Sequence, residues 1–132
     1  MTLKMTFPGL LASGLLGVLG LTACAPAGSV DDRTADVAAL QAAHRSGAYV
    51  LDVRTPAEYA GGHISGATLI PLAELSGRMG EVPRDRDVYV ICRSGNRSAQ
   101  ASALLMDAGY ERVINVAGGM GAWQRAGYPV SR

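Results

Sequence analysis

A chain of 132 residues, 48% hydrophobic and 17% charged, has room for one folded domain once any targeting segment is set aside. Its net charge of +1, from 12 basic and 11 acidic residues, includes no basic stripe interleaved with aromatics, which argues against nucleic acid as a partner. Two cysteines, distant at Cys24 and Cys92, exclude a CxxC redox pair and a cysteine-based zinc site.

From the amino terminus, Met5 to Val30 carries no charge, with Lys4 ahead of it and a Leu/Gly-rich centre from Leu10 to Leu21, the layout of a secretory signal. Leu21-Thr22-Ala23-Cys24 follows, and small residues before a cysteine at the end of an apolar core resemble the lipobox of bacterial lipoproteins. By that resemblance residues 1–23 are a signal peptide, Cys24 becomes the acylated N-terminus, residues 24–33 are a tether and residues 34–132 the folded domain. The implied site of residence is the cell envelope, with the lipid bilayer as a partner through Cys24. Each acyl chain would contribute ~0.8 kcal/mol per buried CH₂. Two alternatives stay open: a signal cut near Ala25-Pro26-Ala27, or an uncut membrane anchor, since the uncharged run is long enough to span. An alkylated Cys24 cannot pair, which would leave Cys92 as the one thiol of an exported protein, where disulfides are favoured. A lone free thiol there calls for a reason.

Past the tether, Val37, Leu40 and His44 fall at helical spacing behind Thr34, which can cap, and Gly47 marks the end. His44 is expected to be a solvated or boundary residue of that helix. Tyr49-Val50-Leu51-Asp52-Val53 reads as a buried strand with Asp52 and Arg54 where it leaves the core. Thr55 with Pro56 opens a short helix that lasts until Gly61-Gly62. Thr68-Leu69-Ile70 is a short strand stopped by Pro71, and Leu72 to Arg78 a short helix. After a charged connection from Gly80 to Arg86 comes Val88-Tyr89-Val90-Ile91, an apolar, β-branched run that ends directly on Cys92. Ser98 to Asp107 is the next helix, with Ser98 as its cap, followed by a strand over residues 112–116. Gly118-Gly119 turns into a last short helix whose Trp123 anchors it to the core.

Cys92-Arg93-Ser94-Gly95-Asn96-Arg97-Ser98 is the stretch with chemical character. A core cysteine closing a strand is the commoner fate of a lone Cys, but such a residue does not need two arginines, a Gly and an Asn in the next five positions. The backbone N–H groups from Arg93 to Ser98 are free to converge on whatever the sulfur carries, which makes Arg93, Ser94, Gly95, Asn96, Arg97 and Ser98 the candidate substrate-binding residues. Ionising a thiol at neutral pH takes roughly 2–3 kcal/mol. A helix N-terminus supplies ~0.3–1 kcal/mol, up to ~2 when partly buried, so the loop amides and the guanidinium groups of Arg93 and Arg97 are expected to supply the rest. Gly95 and Asn96 belong to the turn, since both tolerate positive φ.

Strands alternating with helices at these spacings argue for an α/β fold, a parallel sheet with helices on both faces, in which ligands collect beyond the carboxyl ends of the strands. Asp52 and Cys92 both fall at such ends. Four blocks in order, Leu51 to Tyr59, Gly62 to Ala67, Cys92 to Ser98, and Gly118 to Trp123 with Ala126 to Val130, resemble the rhodanese family of single-domain sulfurtransferases over nearly all of residues 34–130. The resemblance implies about five parallel strands and a persulfide mechanism without metal or cofactor, with Cys92 as nucleophile. It implies a small-molecule sulfur donor, thiosulfate or a persulfide, and a thiol or cyanide acceptor. Arg93 and Arg97 would draw in the dianionic donor, with Arg97 favoured for direct contact. Asp52, Arg54, Glu58 and His63 belong to the family's signature ahead of the loop and read mainly as architecture: Arg54 can pair with Glu58 at i,i+4, and His63 anchors a loop. Asp52 near the thiolate would oppose its ionisation. A phosphatase or arsenate reductase of related fold is the rival enzyme, disfavoured because four residues separate Cys92 from Arg97 where those enzymes carry five. A non-catalytic sulfur carrier or sensor is the rival of another class.

Overall fold

The structure, a computed structural model, describes residues 33–132. The expected signal peptide, Cys24 and all but the last residue of the tether lie outside the described residues. Strands β1 (Thr34–Ala35), β2 (Tyr49–Asp52), β3 (Thr68–Leu69), β4 (Val88–Ile91) and β5 (Val113–Val116) form one parallel sheet in the order β1-β5-β4-β2-β3. Helices α1 (Val37–Arg45), α2 (Pro56–Gly61), α3 (Leu72–Arg78), α4 (Asn96–Asp107) and α5 (Gly119–Arg125) connect or follow the strands, and a 3₁₀ turn, Met79–Glu81, extends α3. The expected α/β architecture with five parallel strands is the one observed. Among the described residues, no helix is long and apolar enough to cross a membrane.

The period-2 alternation of β2 and β4 divides the core into two clusters. Leu51, Val88, Val90 and Cys92 pack with Ile70, Leu75, Ala101 and Leu105 on the side of α3 and α4. Val50 and Ile91 pack with Leu40, Met120 and Trp123 on the side of α1 and α5. Helices therefore cover both faces. Trp123 is 1% exposed and its Nε1–H donates to the Pro129 carbonyl at 2.9 Å, so it anchors α5 as expected.

Thr55 caps α2 through a capping box: its hydroxyl accepts from the Glu58 N–H, with Pro56 in the first turn. The start of α1 differs from expectation. Thr34 and Ala35 are drawn into the sheet opposite Asn115 and Val116, and Asp36 caps the helix instead, its carboxylate accepting from the Ala39 N–H at 2.8 Å. His44 sits at the boundary, its Nε2 2.7 Å from the Ser65 carbonyl oxygen and its ring edge-on to Trp123. The α4 helix begins at Asn96, two residues earlier than expected, because Gly95 at φ 104° provides the left-handed turn that starts it. Gly95 thus belongs to the turn as expected, while Asn96 is already helical.

Candidate active site

Register places the site. Asp52 lies opposite Ile91 in the β2/β4 pair, so the two central strands finish side by side, and the Val53 N–H still donates to the Ile91 carbonyl at 3.0 Å. One residue beyond, Cys92 starts the loop to α4. Its side chain belongs to the α3/α4 face with Leu51 and Val53, whereas Asp52 follows Val50 in the pleat and points the other way.

The Cys92 sulfur sits in a cup. The Gly95 N–H donates to it at 3.1 Å, and the thiol lies 3.3 Å from the Ser98 hydroxyl, to which it donates. A hydroxyl rotates freely, so once the sulfur is ionised Ser98 can donate instead. Burial pushes the thiol up, but the Ser98 hydroxyl and the N–H groups of Ser98, Gly95 and Ser94 outweigh that penalty and hold it below the ordinary value for cysteine. Ser98, expected as a helix cap and among the N–H donors around the sulfur, is the third residue of α4 and meets the sulfur through its hydroxyl as well. Cys92 and Ser98 are both 0% exposed.

The turn 118–121 closes the cup from behind. The Met120 N–H donates to the Cys92 carbonyl at 2.8 Å and the Gly121 N–H to the Arg93 carbonyl at 3.0 Å. Gly119, at φ 55°, lies so close that an added Cβ would overlap the Cys92 carbonyl oxygen and stand 2.6 Å from the Arg93 carbonyl carbon. This buttress was not foreseen from the residues alone. Its one local signal is the Gly118-Gly119 pair.

The charges around the loop pair differently from expectation. Arg54 does not reach the Glu58 carboxylate: its Nε and Nη2 grip both oxygens of Asp52 at 2.7–3.1 Å, and Nη2 also donates to the Gly62 carbonyl at 2.9 Å. Asp52 is 0% and Arg54 5% exposed, so the pair is a buried tie between the end of β2 and the end of α2. Asp52 is paired there, and its side chain lies on the other side of the pleat from Cys92. The Glu58 carboxylate takes Arg97 instead, in two hydrogen bonds of 2.8 and 2.9 Å, and that guanidinium holds its carboxyl down at about 2. Arg97 feels the charge of Cys92, and two of its five N–H groups donate to Glu58. Arg93 is exposed, makes no ion pair among the described residues, and lines a polar cavity with Arg54, Glu58 and Gln124. Arg93 thus stands outside any ion pair among the described residues, whereas Arg97, the arginine expected at the donor, is paired with Glu58. His63 stands apart, stacked on Tyr59 with its Nδ1 2.8 Å from the Tyr59 carbonyl oxygen, and its backbone bridges to Ser131. It anchors the loop and the C-terminal segment, as expected.

A parallel sheet whose central strand ends on a cysteine, with the following loop donating hydrogen bonds to the sulfur, defines an α/β domain with a thiol that ionises more readily than usual. The chain belongs to the rhodanese-like domain family, which residues 35–126 match. A sulfurtransferase of Allochromatium vinosum is 52% identical over 81 residues, 61% of this chain and 76% of the relative. The thiosulfate sulfurtransferase GlpE of Pseudomonas entomophila is 37% identical over 83 residues, 63% of this chain and 75% of the relative. YrkF of Bacillus subtilis, a candidate sulfur carrier protein, is 42% identical over 74 residues, 56% of this chain and 40% of its own length. The crystal structure of a rhodanese-related protein from Thermoplasma volcanium superposes with a TM-score of 0.71 at 37% identity, covering 75% of this chain and 97% of that one. The family to which the chain belongs is thus one of sulfurtransferases and sulfur carriers.

Proposed function

We propose that the protein is a rhodanese-type thiosulfate sulfurtransferase that works through a persulfide on Cys92. The observation that carries the reading is the cup: a sulfur at the end of a central strand, receiving hydrogen bonds that favour its ionised form. The thiolate attacks the outer sulfur of thiosulfate. A new Sγ–S bond forms, the S–S bond of the donor breaks, and its electron pair leaves with sulfite. The N–H groups that held the thiolate then hold the negative charge shared along the persulfide, so no metal or cofactor is required at this step. Arg93, exposed beside the polar cavity, draws the dianion in. Cys92 has no exposed surface, and transfer requires the donor to reach it. An acceptor, cyanide or a thiol, removes the outer sulfur and returns the thiolate.

Two features speak for the carrier reading: the covered sulfur and the likeness to YrkF. Mass spectrometry separates the two. Incubation with thiosulfate adds one sulfur to the wild type and none to Cys92→Ser, and a transferase loses that sulfur rapidly and repeatedly to added thiol or cyanide. A persistent adduct makes the protein a carrier, and activity in Cys92→Ser refutes the assignment of the nucleophile. The phosphatase reading loses support because Arg97, which would have to clamp the oxyanion, is committed to Glu58. In the cell the domain is exported and held at the envelope by an acylated Cys24, a reading supported by Leu21-Thr22-Ala23-Cys24. Metabolic labelling with a fatty-acid analogue marks the wild type and not Cys24→Ala; label retained in the variant refutes it.

A further inference from the structure

Two cavities lie at the ends of the central strands, one lined by Arg93 of the loop after β4 and the other by Arg97 of α4, and they differ in character. The one beside Arg93, about 280 Å³, is walled by charged and amide side chains and by the glycines of α2 and the 118–121 turn. The other, about 320 Å³, is lined by Val53, Thr55, Pro71, Leu72 and Ala73, with Arg54 and Arg97 at its edge. Arg54 lines both, so the cavities are neighbours. The second lies beside Cys92: the pairing of Asp52 with Ile91 puts Val53, which lines it, next to Cys92 on the same face of the sheet. Its cations are paired, Arg54 with Asp52 and Arg97 with Glu58. A site with apolar walls and neutralised edge charges has nothing to offer an anion and much to offer an uncharged apolar group.

We infer that this second cavity is the acceptor subsite, and that the acceptor it takes is a low-mass thiol with a neutral, apolar body. The inference rests on the persulfide reading above and divides the work between the cavities, with anionic donor on the Arg93 side and apolar acceptor on the Leu72 side. A persulfide extends the sulfur by one S–S bond, about 2 Å. The acceptor thiol loses its proton to solvent, and its sulfur lone pair forms a bond to the outer sulfur. The Sγ–S bond breaks with its electrons returning to Cys92, leaving the thiolate and an organic persulfide.

The test uses the full-length protein preloaded with thiosulfate, its loading measured by mass, in single-turnover reactions with phenylmethanethiol, with 3-mercaptopropionate and with cyanide. Ala73 is exposed on α3, so Ala73→Trp, which fills the cavity, and Ala73→Glu, which charges its wall, both leave the core intact. The wild type is expected to favour phenylmethanethiol over 3-mercaptopropionate. Each variant is expected to lower the ratio of the phenylmethanethiol rate to the cyanide rate about tenfold or more, the discrimination typical of a hydrophobic pocket. General damage to the fold lowers both rates together and leaves the ratio unchanged. An unchanged ratio in both variants, or equal wild-type rates with the two thiols, overturns the inference while the persulfide reading stands. A wild type that takes no sulfur from thiosulfate refutes the parent reading, and the subsite falls with it.

Discussion

Removing the Ser98 hydroxyl tests how the thiolate is held. Ser98 is fully buried and lies 3.3 Å from the sulfur. Three further donors, the N–H groups of Ser94, Gly95 and Ser98 itself, remain in Ser98→Ala, so the cup is weakened rather than dismantled. A hydrogen bond to a charged acceptor is worth about 1.5–3 kcal/mol. Sulfur is a diffuse acceptor at a longer distance, which puts the loss near the lower end, about 1.5 kcal/mol, or roughly tenfold in the ratio of thiolate to thiol at a given pH. The assay is a pH titration of thiolate ultraviolet absorbance, with Cys92→Ser as the blank so that Cys24 and the tyrosines cancel. The midpoint in Ser98→Ala is expected to move to higher pH. Because the folded thiol ionises below its unfolded value, its contribution to stability is present above the unfolded pKa and lost as pH falls through the folded one. Ser98→Ala should therefore lose stability relative to wild type mainly on the alkaline side of that window. Superimposable titrations would show that the main-chain donors alone hold the charge, and would refute the assignment of Ser98.

Other consequences follow from the same neighbourhood. Gly119→Ala places a Cβ against backbone, not against a side chain that can swing away, at a φ that side chains rarely adopt. A fall in thermal midpoint together with a weakened thiolate titration is expected, and an unperturbed titration would mean that the 118–121 turn does not position Cys92. Arg54→Ala strands the buried Asp52 carboxylate and is expected to cost about 3–5 kcal/mol by urea unfolding, much of a typical domain's margin. The double change Asp52→Leu with Arg54→Met removes both charges and should cost far less; a double variant as unstable as the single one would show that the hydrogen bonds Arg54 donates to the backbone carbonyls of Gly62 and Glu58, not the stranded charge, carry the loss.

The strands β2 and β4 and the helices α2, α3 and α4 were legible because their periodicities, Thr55-Pro56 and the terminal glycines act within a few residues. The meeting of Asp52 and Cys92 at adjacent strand ends followed from the parallel arrangement. What stayed hidden depends on partners remote in the chain or on competition between near-equal local choices. Two residues, Thr34 and Ala35, are too few to show a strand period, and only β5 reveals them as an edge. Thr34 and Asp36 are both capable caps, and sheet pairing removes the first from contention. Arg97 and Glu58 are 39 residues apart, so the local i,i+4 spacing of Arg54 and Glu58 offered a pairing that the fold does not make. Ser98 carried a signal, but for the wrong role: a serine near a helix start reads as a cap unless the preceding glycine takes that position.

The arrangement separates two uses of polarity. Full charges meet in closed pairs, Asp52 with Arg54 and Glu58 with Arg97, and those pairs tie α2 to the end of β2 and to α4. The sulfur is held by dipoles instead, mainly by N–H groups of a loop whose geometry those ties fix. A guanidinium bound directly to the thiolate would stabilise it further, but it would also compete with an incoming anionic donor for the same positive charge. On the proposed sulfurtransferase reading, keeping Arg97 on Glu58 leaves the sulfur's ionised form favoured by groups that do not have to let go when an anionic donor arrives, and leaves Arg93 to meet that donor.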